Sequence, residues 1–208
     1  MAEHFGDALL VILSAPSGGG KTTVCEKIIE TNPNVVRAIT CTTRPPREGE
    51  SNGIDYYFLA EGSFLNRVQA GEFLEYATVH GNHYGTLRSE VFDRLHKGHD
   101  VLLSIDVQGA ATLRAKTHHD PELRRALVTV FITPPSIAVL AERLQKRGTD
   151  SPLVIEKRLG VARREIAEWV NYDYLILSSS ISEDVRRMQA ILTAEKLRQV
   201  RARPPMSE

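Results

Sequence analysis

The stretch Ala8-Leu9-Leu10-Val11-Ile12-Leu13-Ser14-Ala15-Pro16-Ser17-Gly18-Gly19-Gly20-Lys21-Thr22-Thr23 decides the fold. Residues 8–13 are apolar without interruption. A strand with one wet face alternates; an unbroken run marks a strand buried on both faces, as in a parallel sheet covered by helices. Residues 14–20 break regular structure with proline and three consecutive glycines. From Lys21 the spacing predicts a helix over 21–31, with Val24, Ile28 and Ile29 on one face and Asn32-Pro33 as its stop.

Buried strand, glycine loop, helix: in that setting residues 15–22 fit the phosphate-binding loop pattern, with Ala15 in place of the usual first glycine. The chemistry is electrostatic. Successive backbone N–H groups form a concave anion cradle, and the helix N-terminus adds about half a positive charge. Glycines let the backbone close on phosphate oxygens without Cβ clashes. The expected ATP-binding set is Ala15, Pro16, Ser17, Gly18, Gly19, Gly20, Lys21, Thr22 and Thr23, with Lys21 reaching the β and γ phosphates and the Thr22 hydroxyl ligating Mg2+. A glycine run alone would be a plain turn; the Lys-Thr pair and the flanking elements favour nucleotide binding. The motif does not name the reaction.

Outward from the loop the chain alternates. A second buried strand is expected over 100–105, ending at Asp106, whose position alone suits either metal or substrate. Helices are expected over 107–116, 136–147, 153–169 and 182–201, and strands over 127–133 and 174–177. This rhythm implies a three-layer α/β fold around a parallel sheet with right-handed crossovers. Residues 35–88 differ. Their apolar segments are short and their turns dense, at Arg44-Pro45-Pro46-Arg47, Glu48-Gly49, Asn52-Gly53 and Gly81-Asn82, which predicts a β-rich insertion holding one helix over 61–70. The expected organisation is one domain: a core of 1–34, 89–142 and 159–208, the insertion 35–88, and a lid of about 143–158.

Composition bounds the function. The chain has 208 residues, enough for one well-buried core, and its 26 basic residues balance 26 acidic ones. Zero formal charge argues against a nonspecific binder of nucleic acid or membrane, which needs a basic excess. Two cysteines, Cys25 and Cys41, make neither a disulfide framework nor a four-ligand zinc site and read as small buried residues. The apolar run 8–13 is too short to span a bilayer, and no basic region precedes it, so a cytoplasmic enzyme is expected.

The segment from Thr42 to Tyr56, Thr42-Thr43-Arg44-Pro45-Pro46-Arg47-Glu48-Gly49-Glu50-Ser51-Asn52-Gly53-Ile54-Asp55-Tyr56, resembles guanylate kinases of the bacterial type. So do Glu72-Phe73-Leu74-Glu75-Tyr76, Gly81-Asn82-His83-Tyr84-Gly85-Thr86, Ile105-Asp106-Val107-Gln108-Gly109, Phe131-Ile132-Thr133-Pro134-Pro135-Ser136 and Arg143-Leu144-Gln145-Lys146-Arg147-Gly148-Thr149. The resemblance runs from about residue 8 to 198, with the motifs in family order. It implies transfer of phosphate from ATP to GMP or dGMP, with Mg2+, to recycle GMP into the guanine nucleotide pool. It also implies GMP-phosphate contacts at Thr40, Arg44, Arg47, Tyr56 and Tyr84, a guanine-binding Glu75 with Thr86 and Asp106 alongside, and a mobile lid carrying Arg143, Arg147 and Arg158. Arg143 and Arg147 join the ATP set, and Arg158 the GMP set. Two positions depart from the family: Ser104 stands where an acidic residue near the Mg2+ site is usual, and Ser178 where an asparagine near adenine is usual.

The residues themselves carry compatible chemistry. Arg44 and Arg47 flank two prolines in a stiffened turn and can grip one phosphate by paired hydrogen bonds. Taken alone they read as a solvated turn; Tyr56, Tyr84 and the phosphate loop shift that reading. Guanine presents N1–H and N2 amine donors that one carboxylate accepts together, whereas adenine turns a lone pair to that carboxylate. A buried site of that kind discriminates strongly. By periodicity alone Glu75 reads as a surface charge. Fixed cations stabilise the charge that phosphoryl transfer spreads, so Lys21, Arg44, Arg143, Arg147 and Arg158 are the expected catalytic residues. The alternatives are a guanylate-kinase-like binding module without catalysis, and a kinase of another nucleoside monophosphate.

Overall fold

A computed structural model describes residues 7–16, 18–79, 81–146 and 151–201. The apolar run becomes β1 (Leu10–Ser14), buried at every position. It lies at the centre of a five-stranded sheet with β2 (Val35–Arg37), β7 (Asp100–Ser104), β8 (Leu127–Thr133) and β9 (Tyr174–Leu177), in the order β2-β7-β1-β8-β9. Every pairing in it is parallel. Alternate side chains of each strand enter opposite layers. Leu10 and Ile12 join Val101, Leu103, Val91, Leu95 and Leu113 on one face, while Leu9, Val11 and Leu13 join Val24, Ile28, Val130 and Met188 on the other. Each fully buried aliphatic side chain stabilises the fold by about 1.5–3 kcal/mol, which is why this run anchors both layers of the core.

The helices α1 (Lys21–Thr31) and α8 (Ile181–Lys196) cover one face. The helices α3 (Arg88–His96), α4 (Val107–Thr117) and α5 (Pro121–Ala126) cover the other. Two of these, α3 and α5, were not foreseen from the sequence. The start of α5 is legible in retrospect, because Asp120 caps it by accepting from the Leu123 N–H at 2.9 Å and Pro121 occupies its first turn.

A second sheet contains β3 (Cys41–Thr42), β4 (Tyr57–Phe58), β5 (Phe73–Val79) and β6 (Asn82–Leu87), in the order β4-β3-β6-β5. It folds over the helix α2 (Glu61–Gln69), with Phe64 stacked on Phe73 at 4.5 Å between ring centres. The expected insertion boundary at residue 35 needs correction. Val35–Arg37 pair with Asp100–Leu102 in the core sheet, because Val35 is buried with the α1 face; the second sheet starts at Cys41.

A helical pair, α6 (Ile137–Lys146) and α7 (Pro152–Ala167), closes on its own small core of Leu140, Leu144, Ile155 and Ala162. A single 3-10 turn, Glu168–Asn171, leads from α7 to β9. The last helix stops at Lys196 rather than running to 201. The reason is Arg201: its buried guanidinium bonds the Glu195 carboxylate, the Arg125 carbonyl at 2.8 Å and the Leu127 carbonyl at 3.0 Å, which a straight helix could not reach. Cys25 and Cys41 are free and buried, as expected. No helix among the described residues is long and apolar enough to cross a membrane.

Candidate active site

The carboxyl ends of β1 and β7 lie side by side, where a doubly wound sheet leaves a crevice at its switch point. The Ser14 hydroxyl, buried at the end of β1, donates to the Ile105 carbonyl at 2.9 Å and ties the two strand ends together. From this edge the loop turns into α1. Gly18 and Gly20 hold φ of 88° and 96°, the left-handed region that side chains disfavour. Gly18 also has no room for a side chain, since a Cβ would stand 2.8 Å from Leu144 Cδ2 of α6. Ser17, expected in the ATP set, lies outside the described residues. Ala15, Pro16, Gly18, Gly19, Gly20, Lys21, Thr22 and Thr23 form the loop and first turn, and Pro16 with 18–23 lines a small depression there.

Lys21 Nζ donates to the Ala15 carbonyl at 2.8 Å, folding the ammonium over its own loop. Desolvation holds its pKa below the ordinary lysine value, opposed by the charges of Glu165 and Asp106. Glu165 on α7 is a neighbour that sequence reasoning missed. Only the packing of α7 beside the loop reveals it.

A cleft enclosing about 220 Å³ runs from this loop to the second sheet. Lys21 and Thr22 stand at its loop end; Thr40, Tyr56, Tyr84, Glu75, Ser104 and Asp106 line the rest. Seven expected site residues separated by up to 85 positions thus converge on one cavity: Lys21, Thr22, Thr40, Tyr56, Glu75, Tyr84 and Asp106. Thr86 sits directly behind it, fully buried, and its hydroxyl donates to Glu75 Oε1 at 2.5 Å. The Glu75 carboxyl is only 3% exposed. Desolvation pushes its pKa up to about 7; the Thr86 hydroxyl pulls the other way and the nearby Asp106 charge adds to the rise. Burial also raises the Tyr56 phenol above its ordinary value, so this hydroxyl is a neutral donor.

The arginines are placed differently from one another. Arg44 adjoins the cavity, its guanidinium 5.5 Å from the centre of the Tyr56 ring and paired by Nη2 with both oxygens of Glu50 at 2.9 Å. Glu50 also accepts from the Arg47 backbone N–H at 2.7 Å. An acidic side chain thus fills the arginine turn, and its carboxylate is held below its ordinary pKa first by the Arg44 hydrogen bonds. The Arg47 side chain is exposed and does not line the cleft. Arg143 donates to the Ser178 hydroxyl at 3.1 Å, and Ser178 in turn donates to the buried Asp184 at 2.7 Å. Arg158 lies half-buried on α7. Neither Arg143 nor Arg158 lines the cleft, and Arg147 falls outside the described residues.

The donors around Thr22 are hydroxyl and carboxylate oxygens, from Thr22, Ser104 and Asp106, which suit a hard cation and not a soft one. Among the described residues, no three histidine, cysteine or acidic side chains are grouped so as to hold a metal ion. These few oxygen donors fit a cation such as Mg2+, which would draw the rest of its shell from phosphates and water.

A glycine loop at the head of α1, opening on a cleft at the carboxyl edge of a covered parallel sheet, defines a P-loop phosphate-binding protein. A family model described as Guanylate kinase matches residues 8–195. The chain is similar to the guanylate kinase of Carboxydothermus hydrogenoformans, with 46% identity over 190 residues covering 91% of this chain and 90% of that one. It is 42% identical over 202 residues to that of Wolbachia pipientis wMel, covering 97% and 98%. Among solved structures, the crystal structure of guanylate kinase from Anaplasma phagocytophilum superposes with a TM-score of 0.75 at 36% identity, covering 93% of this chain and 89% of that one. The chain belongs to the guanylate kinase family.

Proposed function

We propose that this protein transfers the terminal phosphoryl group of ATP to GMP or dGMP, yielding ADP and GDP or dGDP. The observation that carries the reading is a cleft lined both by residues of the phosphate loop and by a buried, hydroxyl-braced carboxylate. ATP lays its phosphates on the loop, where the backbone N–H groups, the α1 dipole and Lys21 meet them. GMP enters from the second sheet. Its N1–H and N2 amine donate to the ionised Glu75 carboxylate, with Asp106 and the Thr86 hydroxyl completing the edge. Adenine would oppose a lone pair to Glu75, and this mismatch is the source of selectivity.

The GMP phosphate takes donors from Tyr56, Tyr84, Thr40 and Arg44, with Arg47 joining from the turn. An oxygen of that phosphate bonds to the γ phosphorus. The bond from the γ phosphorus to the β–γ bridging oxygen breaks, and its electron pair stays with ADP. The attacking group is already an anion, so no side chain need remove a proton. Alignment and charge neutralisation remain as the protein's task. Lys21 follows the charge onto the transferred group, and Arg143, Arg147 and Arg158 add positive charge when α6 and α7 close over the phosphates. Thr22 would hold Mg2+ together with phosphate oxygens, and a bound ion would supply Lewis-acid neutralisation of phosphate charge. The Arg44–Glu50 pair holds the guanidinium over the Tyr56 ring.

The test is ADP formation by the purified protein with GMP, AMP, UMP and CMP as acceptors, with and without Mg2+. Turnover with GMP far above the other three is expected. Equal rates with AMP, or none with GMP, would refute the assignment.

A further inference from the structure

Glycine at position 109 has no backbone justification. It is the third residue of α4, in the ordinary right-handed helical region, where alanine is the better helix former. Its N–H donates to Asp106 Oδ1 at 2.9 Å, a bond any residue but proline would make. What distinguishes it is space. A Cβ built there would stand 2.5 Å from Glu75 Oε2, 3.2 Å from Glu75 Cδ and 3.4 Å from Asp106 Oδ1.

Glu75 cannot easily withdraw from such a contact. Its other oxygen, Oε1, is held at 2.5 Å by the Thr86 hydroxyl. Its backbone belongs to β5, where the pairing with β6 is displaced between Phe73 and Glu75. The same stretch is tied to α4 by Lys116 Nζ, which donates to the Phe73 carbonyl at 3.1 Å. Thr86 on one side and the bare Cα of Gly109 on the other therefore bracket the carboxylate, and the Gly109 N–H orients Asp106 beside it.

We propose that Gly109 is a positioning residue for guanine selection: the missing side chain fixes how far the Glu75 carboxylate reaches back against α4, and so where it meets the base. This rests on the reading of Glu75 as the guanine acceptor. The physical content is steric. A methyl group at 109 drives the carboxylate forward or rotates it off the guanine edge, while none of the close contacts of that methyl is with the phosphate loop.

The test compares wild type with Gly109→Ala, each also in a Glu75→Asp background, whose shortened side chain retracts the carboxylate and relieves the clash. For Gly109→Ala alone the KM for GMP should rise about tenfold to a hundredfold, the loss expected from disturbing hydrogen bonds to a charged group. The preference for GMP over AMP should fall alongside, with the KM for ATP within about twofold of wild type. In the Glu75→Asp background the same substitution should change GMP use less than about twofold, because the contact is already gone. A folded Gly109→Ala protein with unaltered GMP KM and acceptor preference overturns the proposal, as does an equal loss in both backgrounds. If Gly109→Ala alone does not fold, folding in the Glu75→Asp background is expected, and failure there also overturns it. Wild-type protein inactive with GMP would instead refute the parent assignment.

Discussion

Replacing Glu75 with glutamine should make the unliganded protein more stable while weakening its function, and the size of the first effect follows from the structure. Glu75 is 3% exposed, and burial raises its pKa from 4.5 to about 7. The folded chain therefore holds this proton more tightly than the unfolded chain. Below about pH 4.5 both states carry the proton and the group is neutral towards folding. As pH rises from there through about 7 the folded state must ionise a buried carboxyl or forgo an ionisation available when unfolded, and stability falls. At about 1.4 kcal/mol per pH unit, the gap between 4.5 and about 7 corresponds to about 3 kcal/mol by pH 8. Glutamine keeps an acceptor for the Thr86 hydroxyl and cannot ionise. Glu75→Gln should therefore be more stable than wild type by up to about 3 kcal/mol at pH 8, with the difference shrinking towards pH 4.5. Urea unfolding of both proteins, followed by circular dichroism at pH 5 and pH 8, measures this. GMP use should move the other way. The amide presents a donor where guanine also presents donors, so KM for GMP should rise roughly ten- to a hundredfold. In wild type, efficiency with GMP should fall as pH drops through about 7. A stability difference of the same size at pH 5 and pH 8 would show that Glu75 is not ionised against a desolvation cost and would refute the reasoning.

For Lys21→Ala we expect turnover to fall by at least about a hundredfold, with melting temperature little changed, since its described hydrogen bond is to the Ala15 carbonyl of its own loop; near-normal kcat would remove Lys21 from charge stabilisation. For Arg44→Ala we expect KM for GMP to rise about tenfold or more while KM for ATP holds, and stability to change by about 1 kcal/mol, as for other ion pairs near the surface. Steady-state kinetics with each substrate varied separately would distinguish this from a loss shared by both nucleotides.

On the proposed reading, the selection of guanine depends on a charge that burial makes Glu75 reluctant to form. Burial makes Glu75 costly to ionise, and that same burial strengthens its interaction with donors that replace water. Thr86, Gly109 and Asp106 surround that carboxylate.

Local rules made much of the fold legible. The unbroken apolar run 8–13, the glycine loop and the helix from Lys21 to Thr31 appear where periodicity and stop signals put them, because the apolar run and the Asn32-Pro33 stop are each written in contiguous residues. The strands Leu127–Thr133 and Tyr174–Leu177 follow the same logic. Where a partner distant in sequence decides, local reading fails. Val35–Arg37 looks like the start of the turn-rich segment, yet it pairs with β7 some 65 residues away. The last helix ends five residues early because Arg201 finds Glu195, Arg125 and Leu127. In the site, the phosphate loop is contiguous and was readable; the acceptor end was assigned through its resemblance to a family, since nothing in the alternation around Glu75 marks it as buried.

The sequence alone determined the chemistry on offer: an anion cradle at residues 15–23, a turn with two arginines, and carboxylates and hydroxyls whose spacing in the chain does not say which of them meet. Only the tertiary structure decided that Glu75 lies 3% exposed against Gly109 and Thr86 and that Arg44 rests on Tyr56 beside the cleft. It likewise set Arg143 at Ser178, away from the cleft. The physical reason is that composition and periodicity report what each residue prefers, whereas desolvation, steric contact and field at a point depend on which remote segments are packed around it.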